Sequence, residues 1–266
     1  MELRGRVLII AGSDPSGGAG IQADIKTVTA LGGYAATAIT ALTAQNTTGV
    51  FGVVDVPPEF VAQQMRLVLE DIGADCLKTG MLHSTAVIEA VAETMERHAP
   101  KIPLIADPVM VAKSGDSLLD PSAVSALRTL IVARATLLTP NLREAEALLG
   151  RAIAGVEEMR RAADDLRALG PAAVLVKGGH APGKTVYDVL CDAEGFEVFE
   201  RPRLETTSTH GTGCTLASAI AAGVAQGLPM RKAVARALDY VHEAIRLAPG
   251  FGHGRGPLCH VHTIGA

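Results

Sequence analysis

Val7-Leu8-Ile9-Ile10-Ala11, running into Gly12-Ser13-Asp14-Pro15-Ser16-Gly17-Gly18-Ala19-Gly20-Ile21-Gln22-Ala23-Asp24, decides the fold class. An unbroken apolar run rich in β-branched residues reads as a strand covered on both faces, which is how parallel sheets present their strands. The glycine-rich turn then hands the chain to a helical pattern from Ile21 to Leu31. Strand, loop and helix in that order open a βαβ unit.

The alternation continues outward from there. Leu104-Ile105-Ala106, Ala135-Thr136-Leu137-Leu138 and Ala173-Val174-Leu175-Val176 are further buried-strand candidates. They end in Asp107-Pro108, Thr139-Pro140-Asn141 and Lys177-Gly178-Gly179-His180. Ligands of open parallel sheets sit beyond the carboxyl ends of the strands, so these endings are expected in one cleft. Helices are expected at Glu59 to Asp71, Thr85 to His98, Ser122 to Ala133, Arg143 to Leu149, Val156 to Leu169, Gly213 to Gln226 and Met230 to Ala248. Pro121 and Pro229 suit helix starts, and Gly170 before Pro171 suits a stop. Tyr187 to Cys191 and Phe196 to Phe199, around Asp192-Ala193-Glu194-Gly195, read as an antiparallel hairpin added to the sheet. The expected architecture is one α/β domain over residues 1–266, with three αβα layers and a mostly parallel central sheet.

Composition narrows the partners. A net charge of -4, with 24 Lys and Arg scattered along 266 residues, offers no basic block for nucleic acid or an anionic membrane. The apolar run at the N-terminus meets Gly12 too early for a signal-peptide core, and no run reaches membrane-spanning length, so a cytoplasmic protein with a small-molecule ligand is expected. Cys76, Cys191, Cys214 and Cys259 lie far apart and read as reduced thiols. Cys259-His260-Val261-His262 lacks the spaced pairs of structural zinc sites.

Thr209-His210-Gly211-Thr212-Gly213-Cys214-Thr215 enters the apolar run Leu216 to Ala222. Two glycines bring the backbone close to a ligand, and a helix start supplies free N–H groups and a positive dipole end, so an anion site is expected there. A thiol at a helix start has its pKa lowered, which makes Cys214 a candidate base or nucleophile. The loop from Gly12 to Asp24 has neither the G-x-G-x-x-G order nor a Walker A pattern, and is read as a loop enclosing substrate, against a plain flexible turn. Asn141-Leu142-Arg143-Glu144 has two readings: a helix capping box, or an Asn and a Glu that orient water on Mg²⁺ with Asp107 as a second carboxylate. Lys177, at a strand end before two glycines, is placed to reach a phosphate. His83, His98 and His242 read as packing or surface residues, and His210 as a phosphate or nucleotide contact.

In order along the chain stand G-S-D-P-S-G-G-A-G-I-Q-A-D from Gly12, Thr43-Ala44-Gln45-Asn46, Lys78-Thr79-Gly80-Met81, Asp107-Pro108-Val109-Met110, Thr139-Pro140-Asn141-Leu142-x-Glu144, Lys177-Gly178-Gly179-His180 and His210-Gly211-Thr212-Gly213-Cys214. This set, from Ile10 to the tail Gly254-Arg255-Gly256-Pro257-Leu258, resembles the hydroxymethylpyrimidine/phosphomethylpyrimidine kinases of thiamine biosynthesis, within the ribokinase-like superfamily. The resemblance implies a ribokinase-like αβα fold and a homodimer. It implies that ATP with Mg²⁺ phosphorylates 4-amino-5-hydroxymethyl-2-methylpyrimidine and then its monophosphate. It implies that Gln45 binds the pyrimidine edge, with Gly12, Asp24, Met81 and Val109 around it. Lys177, Thr209, His210 and Asn141 are then expected on the nucleotide, Asp107 and Glu144 near the metal, and Gly211, Thr212 and Gly213 as the anion hole. Adenine contacts are expected near Val241 and before His210. Cys214 stands where sugar kinases of the superfamily carry an Asp base, and would accept the hydroxymethyl proton in the first reaction. A phosphate monoester is already ionised near neutral pH, so the second needs no strong base. Three other readings remain: a pyridoxal or pyridoxine kinase of the same superfamily, an acyl-transfer enzyme or hydrolase whose Cys214 nucleophile is partnered by His210 or His180, and a catalytically silent ligand sensor that keeps the fold.

Overall fold

The computed structural model describes residues 4–110, 118–179 and 181–264. Its strands are β1 (Arg6–Ser13), β2 (Tyr34–Gln45), β3 (Val50–Asp55), β4 (Cys76–Thr79), β5 (Leu104–Ala106), β6 (Leu137–Leu138), β7 (Ala173–Lys177), β8 (Thr185–Asp192) and β9 (Gly195–Pro202). They form one sheet in the order β3-β2-β1-β4-β5-β6-β7-β8-β9. The run from β2 to β7 is parallel throughout, whereas β3, β8 and β9 are antiparallel additions at the two edges. The longer α-helices are α1 (Gly20–Ala30), α2 (Pro58–Asp71), α3 (Thr85–His98), α5 (Leu142–Leu149), α6 (Gly155–Arg167), α7 (Thr212–Ala225) and α8 (Met230–Arg246), and α4 (Val124–Ala126) is a single turn.

Side-chain alternation along β1 makes the three layers. Leu8 and Ile10 enter the core beneath α2, α3, α5 and α6, while Val7, Ile9 and Ala11 enter the core beneath α1, α7 and α8. All five are essentially buried, which is why the run carries no polar residue. α7 is apolar nearly all round because it lies between the sheet and α8, burying every residue from Thr215 to Gly223.

The expected helices lie within two residues of their places, except one. Ser122 to Ala133 is not a single helix. It is a chain of short turns: 3₁₀ at Pro121–Ala123, α4, a π segment at Leu127–Ile131 and 3₁₀ at Val132–Arg134. The wide π turn shifts the apolar stripe so that Leu127, Ile131 and Val132 are all buried. β6 keeps only Leu137–Leu138 of the expected four residues. Three strands had no expectation. β2 is broken up by alanines, which are weak strand formers, β3 is mostly exposed, and β4 carries a lysine. Among the described residues no helix is long and apolar enough to cross a membrane.

Candidate active site

Because β1, β4, β5, β6 and β7 run parallel, the residues that follow them meet at the carboxyl end of the sheet. A cleft of about 410 Å³ opens there. At one end it is lined by Gly12, Gln45, Met81, Val109 and Met110, in the middle by Thr209 to Cys214, and towards α8 by Lys177, Arg203, Leu238, Val241 and Ile245.

Gly211 begins the glycine loop in the left-handed region, φ 77°, where a side chain is strained. A Cβ on it would run into the carbonyl of Gly18, so the two loops are in backbone contact. α7 starts directly after it, and the N–H groups of its first turn are surplus to the helix ladder. Gly213 in that turn brings the backbone against two charged groups: its absent Cβ would lie 3.3 Å from Lys177 Nζ and 3.6 Å from Asp107 Oδ2. Lys177 Nζ and Asp107 Oδ1 are paired at 2.8 Å with Asp107 almost wholly buried. Burial would push the Lys177 ammonium down, but Asp107 and then Glu144 outweigh it and hold its pKa above the ordinary lysine value. A cation and a helix start, both of which favour an anion, therefore meet at one point with two carboxylates, which favour a cation beside it.

The loop after β1 is stapled and is not a flexible turn. Asp14 accepts hydrogen bonds from Ser16 N at 2.9 Å and Ala19 N at 2.8 Å, and its Oδ2 lies 2.7 Å from His210 Nε2. Burial alone would raise the Asp14 carboxyl, but the hydrogen bonds from His210 and Ser16 bring it below the usual range. His210 lines the cleft, yet its Nε2 is occupied by Asp14. Through that contact His210 also holds two loops together.

Several other expectations are corrected. Asp24 is fully buried behind the cleft, where it pairs with Lys78 Nζ at 2.7 Å and accepts from Ser218 Oγ at 2.7 Å. It is Lys78, not Asp24, that reaches the cleft wall. Cys214 opens onto the cleft but sits deep in the protein. Burial pushes its thiol up to about 12, against the pull of Lys78, so the lowered pKa expected from a helix start does not hold. The Asn141 side chain accepts from Glu144 N at 3.0 Å while Glu144 Oε2 accepts from Asn141 N at 2.8 Å, so the capping box is present. Both side chains still line the cleft. His180 lies outside the described residues.

Sequence reasoning missed Lys78, Asp14, Met110 and Arg255. A lysine inside the short strand Cys76–Thr79, and an Asp followed two residues later by Ser, were signals of a buried pair and an Asx turn. Gln45, Gly12, Met81 and Val109 stand together where expected, with the Gln45 carboxamide oxygen 3.2 Å from the Thr43 hydroxyl. Cys259-His260-Val261-His262 enters a 3₁₀ turn (His260–Thr263) against Tyr240, and no group of three His, Cys, Asp or Glu suited to a metal occurs among the described residues.

Comparison with known proteins places the chain among relatives. A family model described as phosphomethylpyrimidine kinase matches residues 14–259. The chain is 51% identical over 258 residues to the thiamine biosynthesis bifunctional protein ThiED of Geobacter sulfurreducens, covering 97% of this chain and 52% of that protein, so it spans about half of that relative's length. It is 49% identical over 258 residues to the hydroxymethylpyrimidine/phosphomethylpyrimidine kinase of Rhizobium meliloti, covering 96% of both. In three dimensions it is similar to an ADP complex of Bacillus subtilis pyridoxal kinase, with a TM-score of 0.89, 35% identity and coverage of 97% of this chain and 98% of that one.

Proposed function

The chain belongs to the phosphomethylpyrimidine kinase family, and we propose that it transfers the γ-phosphoryl group of ATP first to the hydroxymethyl oxygen of 4-amino-5-hydroxymethyl-2-methylpyrimidine and then to the monophosphate so formed. The observation that carries this reading is the Lys177–Asp107 pair held against Gly213 at the start of α7, in a cleft whose far end presents Gln45. Phosphoryl transfer asks for alignment and charge neutralisation, and this arrangement offers both.

In the first step the pyrimidine edge is held by the donor and acceptor of Gln45 over Gly12, Met81 and Val109. The hydroxymethyl oxygen attacks the γ-phosphorus, the bond to the β-bridging oxygen breaks, and ADP leaves. Negative charge building on the transferring group faces Lys177 and the N–H groups from Gly211 to Cys214. The hydroxymethyl proton passes to the Cys214 thiolate, which is scarce near neutrality but strongly basic when present. In the second step the acceptor is already an anion and loses no proton. Thr209 and Asn141 border the nucleotide, and the apolar wall of Leu238, Val241 and Ile245 suits an adenine ring.

Mg²⁺ is part of the proposal. Asp107 and Glu144 flank Lys177, a net negative cluster at the phosphate end of the cleft. Mg²⁺ keeps several waters and takes few protein carboxylates when phosphates supply the rest, so a pair of acids fits it. There it would neutralise phosphate charge. We also propose a homodimer through the edge strand β3, whose neighbourhood exposes Leu42, Phe51 and Val54 at 49%, 71% and 66%. A cytoplasmic location fits the four unpaired cysteines.

Pyridoxal is the second reading, favoured by the likeness to the Bacillus pyridoxal kinase. Competing the pyrimidine alcohol against pyridoxal with ATP, and quantifying both phosphorylated products, tests the choice. A higher kcat/KM for the pyrimidine is expected, and a higher value for pyridoxal would overturn it. A hydrolase reading is disfavoured by the match of the chain to a kinase family over nearly its whole length.

A further inference from the structure

A second cavity, of about 450 Å³, adjoins the cleft beyond Gln45 and is walled by the β2–β3 turn, residues 46–49, and by the segment 253–255. Gln45, His210 and Arg255 line both spaces, so the two share a boundary at these side chains. The Arg255 backbone is fixed there by its N–H donating to Thr47 O at 2.8 Å, and its guanidinium reaches the glycine loop, with Nη1 3.5 Å from Thr209 Oγ1.

The cations around this boundary differ in what they face. Lys78 is committed to Asp24, Lys177 to Asp107 and His210 to Asp14. Arg255 has no carboxylate within ion-pair distance among the described residues, although its side chain carries a permanent charge. A guanidinium beside a hydroxyl and a glycine loop, with no acid attached, suits a phosphate oxygen pair.

The two reactions make different demands on this region. In the second, the attacking oxygen stands one phosphate group farther from the ring than in the first. With the γ-phosphate held by the same loop, the ring must move back, and the open space behind Gln45 is the second cavity. The intervening phosphate carries close to two negative charges near neutral pH, which the alcohol lacks. We propose that Arg255, with the Thr209 hydroxyl, binds the phosphate of the monophosphate acceptor, and that the second cavity receives the displaced ring. Arg255 thereby sets the enzyme's preference between its two acceptors. The inference rests on the kinase reading above.

The test measures the two phosphorylations separately on the full chain, with saturating ATP and with the alcohol or the monophosphate as sole acceptor, in native protein, Arg255→Met and Arg255→Lys. In Arg255→Met the ratio of kcat/KM for the monophosphate to that for the alcohol should fall at least tenfold, through a raised KM for the monophosphate. Arg255→Lys should recover most of that ratio, since a cation remains. The monophosphate KM of the native chain should rise with ionic strength, and that of Arg255→Met should respond less. Equal losses in both steps would mean that Arg255 only braces the loop, and an unchanged ratio would mean that the acceptor phosphate lies elsewhere. Either result overturns the inference while leaving the kinase reading intact. No turnover of either acceptor by the native chain would instead remove the kinase reading, and this inference with it.

Discussion

His210 Nε2 lies 2.7 Å from Asp14 Oδ2, joining the loop after β1 to the loop that opens α7, across 196 positions of sequence. The pair is buried, and the same carboxylate collects the N–H groups of Ser16 and Ala19. The glycine loop is therefore held from outside by a second loop.

Asp14→Asn should cost about 2 kcal/mol at neutral pH, since it leaves a buried partner imperfectly matched. The Asp14 carboxyl is held below its ordinary value, so its stabilising contribution is complete above the unfolded carboxylate pKa of about 3.9 and disappears as pH falls through the folded value. Urea titrations of native and Asp14→Asn protein should differ at pH 7 and draw together below about pH 3. A gap that stays constant across that range would show that the charge is not what matters.

Replacing Cys214 separates the two chemical steps. Cys214→Ala should lower kcat of the first phosphorylation about 100-fold and of the second less than tenfold. Because the thiol is pushed up to about 12, the thiolate fraction grows with pH throughout the working range. The first-step rate of the native enzyme should therefore climb about tenfold per pH unit above neutrality, and that of the variant should not. Parallel pH profiles in the two proteins would remove the thiol from proton transfer.

The glycine loop should discriminate sharply between its two glycines. Gly211→Ala places a side chain at φ 77° and against the Gly18 carbonyl, so a stability loss of more than about 1–2 kcal/mol is expected together with loss of activity. Gly213→Ala does not lie at positive φ, and its methyl meets the far end of Lys177 at 3.3 Å and Asp107 Oδ2 at an ordinary 3.6 Å, with no backbone in the way. It should keep its melting temperature within a few degrees and lose activity through displacement of the lysine. Similar melting temperatures for the two variants would contradict this account.

Lys78 and Asp24 form a pair with no solvent exposure of either side chain. Breaking it from one side leaves a buried charge, so Lys78→Met alone and Asp24→Leu alone should each cost about 3–5 kcal/mol, whereas the double variant should cost much less than their sum. Additive losses in that cycle would mean that the two charges do not interact.

The exposed edge gives the last prediction. Phe51→Glu, placed in the most exposed part of β3, should convert a dimer to a monomer in sedimentation without lowering the melting temperature of the monomer. A native chain that sediments as a monomer would end the dimer proposal.

Much of the fold was legible because burial on both faces leaves its mark in the order of residues. β1, β5 and β7 are short apolar runs that end in polar or glycine residues, and helices such as α3, with Ser84 as its cap, announce their own limits. β2 and β4 were hidden because alanine, threonine and an internal lysine say nothing about pairing. The site was legible where chemistry and position coincide, as at Gln45, Lys177, Asp107 and the glycine loop.

The sequence by itself determined the βαβ order, the glycine positions where the backbone must come close, and the residue types gathered beyond the strand ends. These depend on local periodicity and on backbone freedom. Only the tertiary structure decided which charges remain available to a ligand, because that depends on what stands opposite each one. It withdrew Asp24 behind Lys78, tied one ring nitrogen of His210 to Asp14, and raised the Cys214 thiol by burying it deeper than a helix start alone would suggest. It also left Arg255 facing both cavities without an acid partner among the described residues, a property of the folded chain that no local pattern encodes.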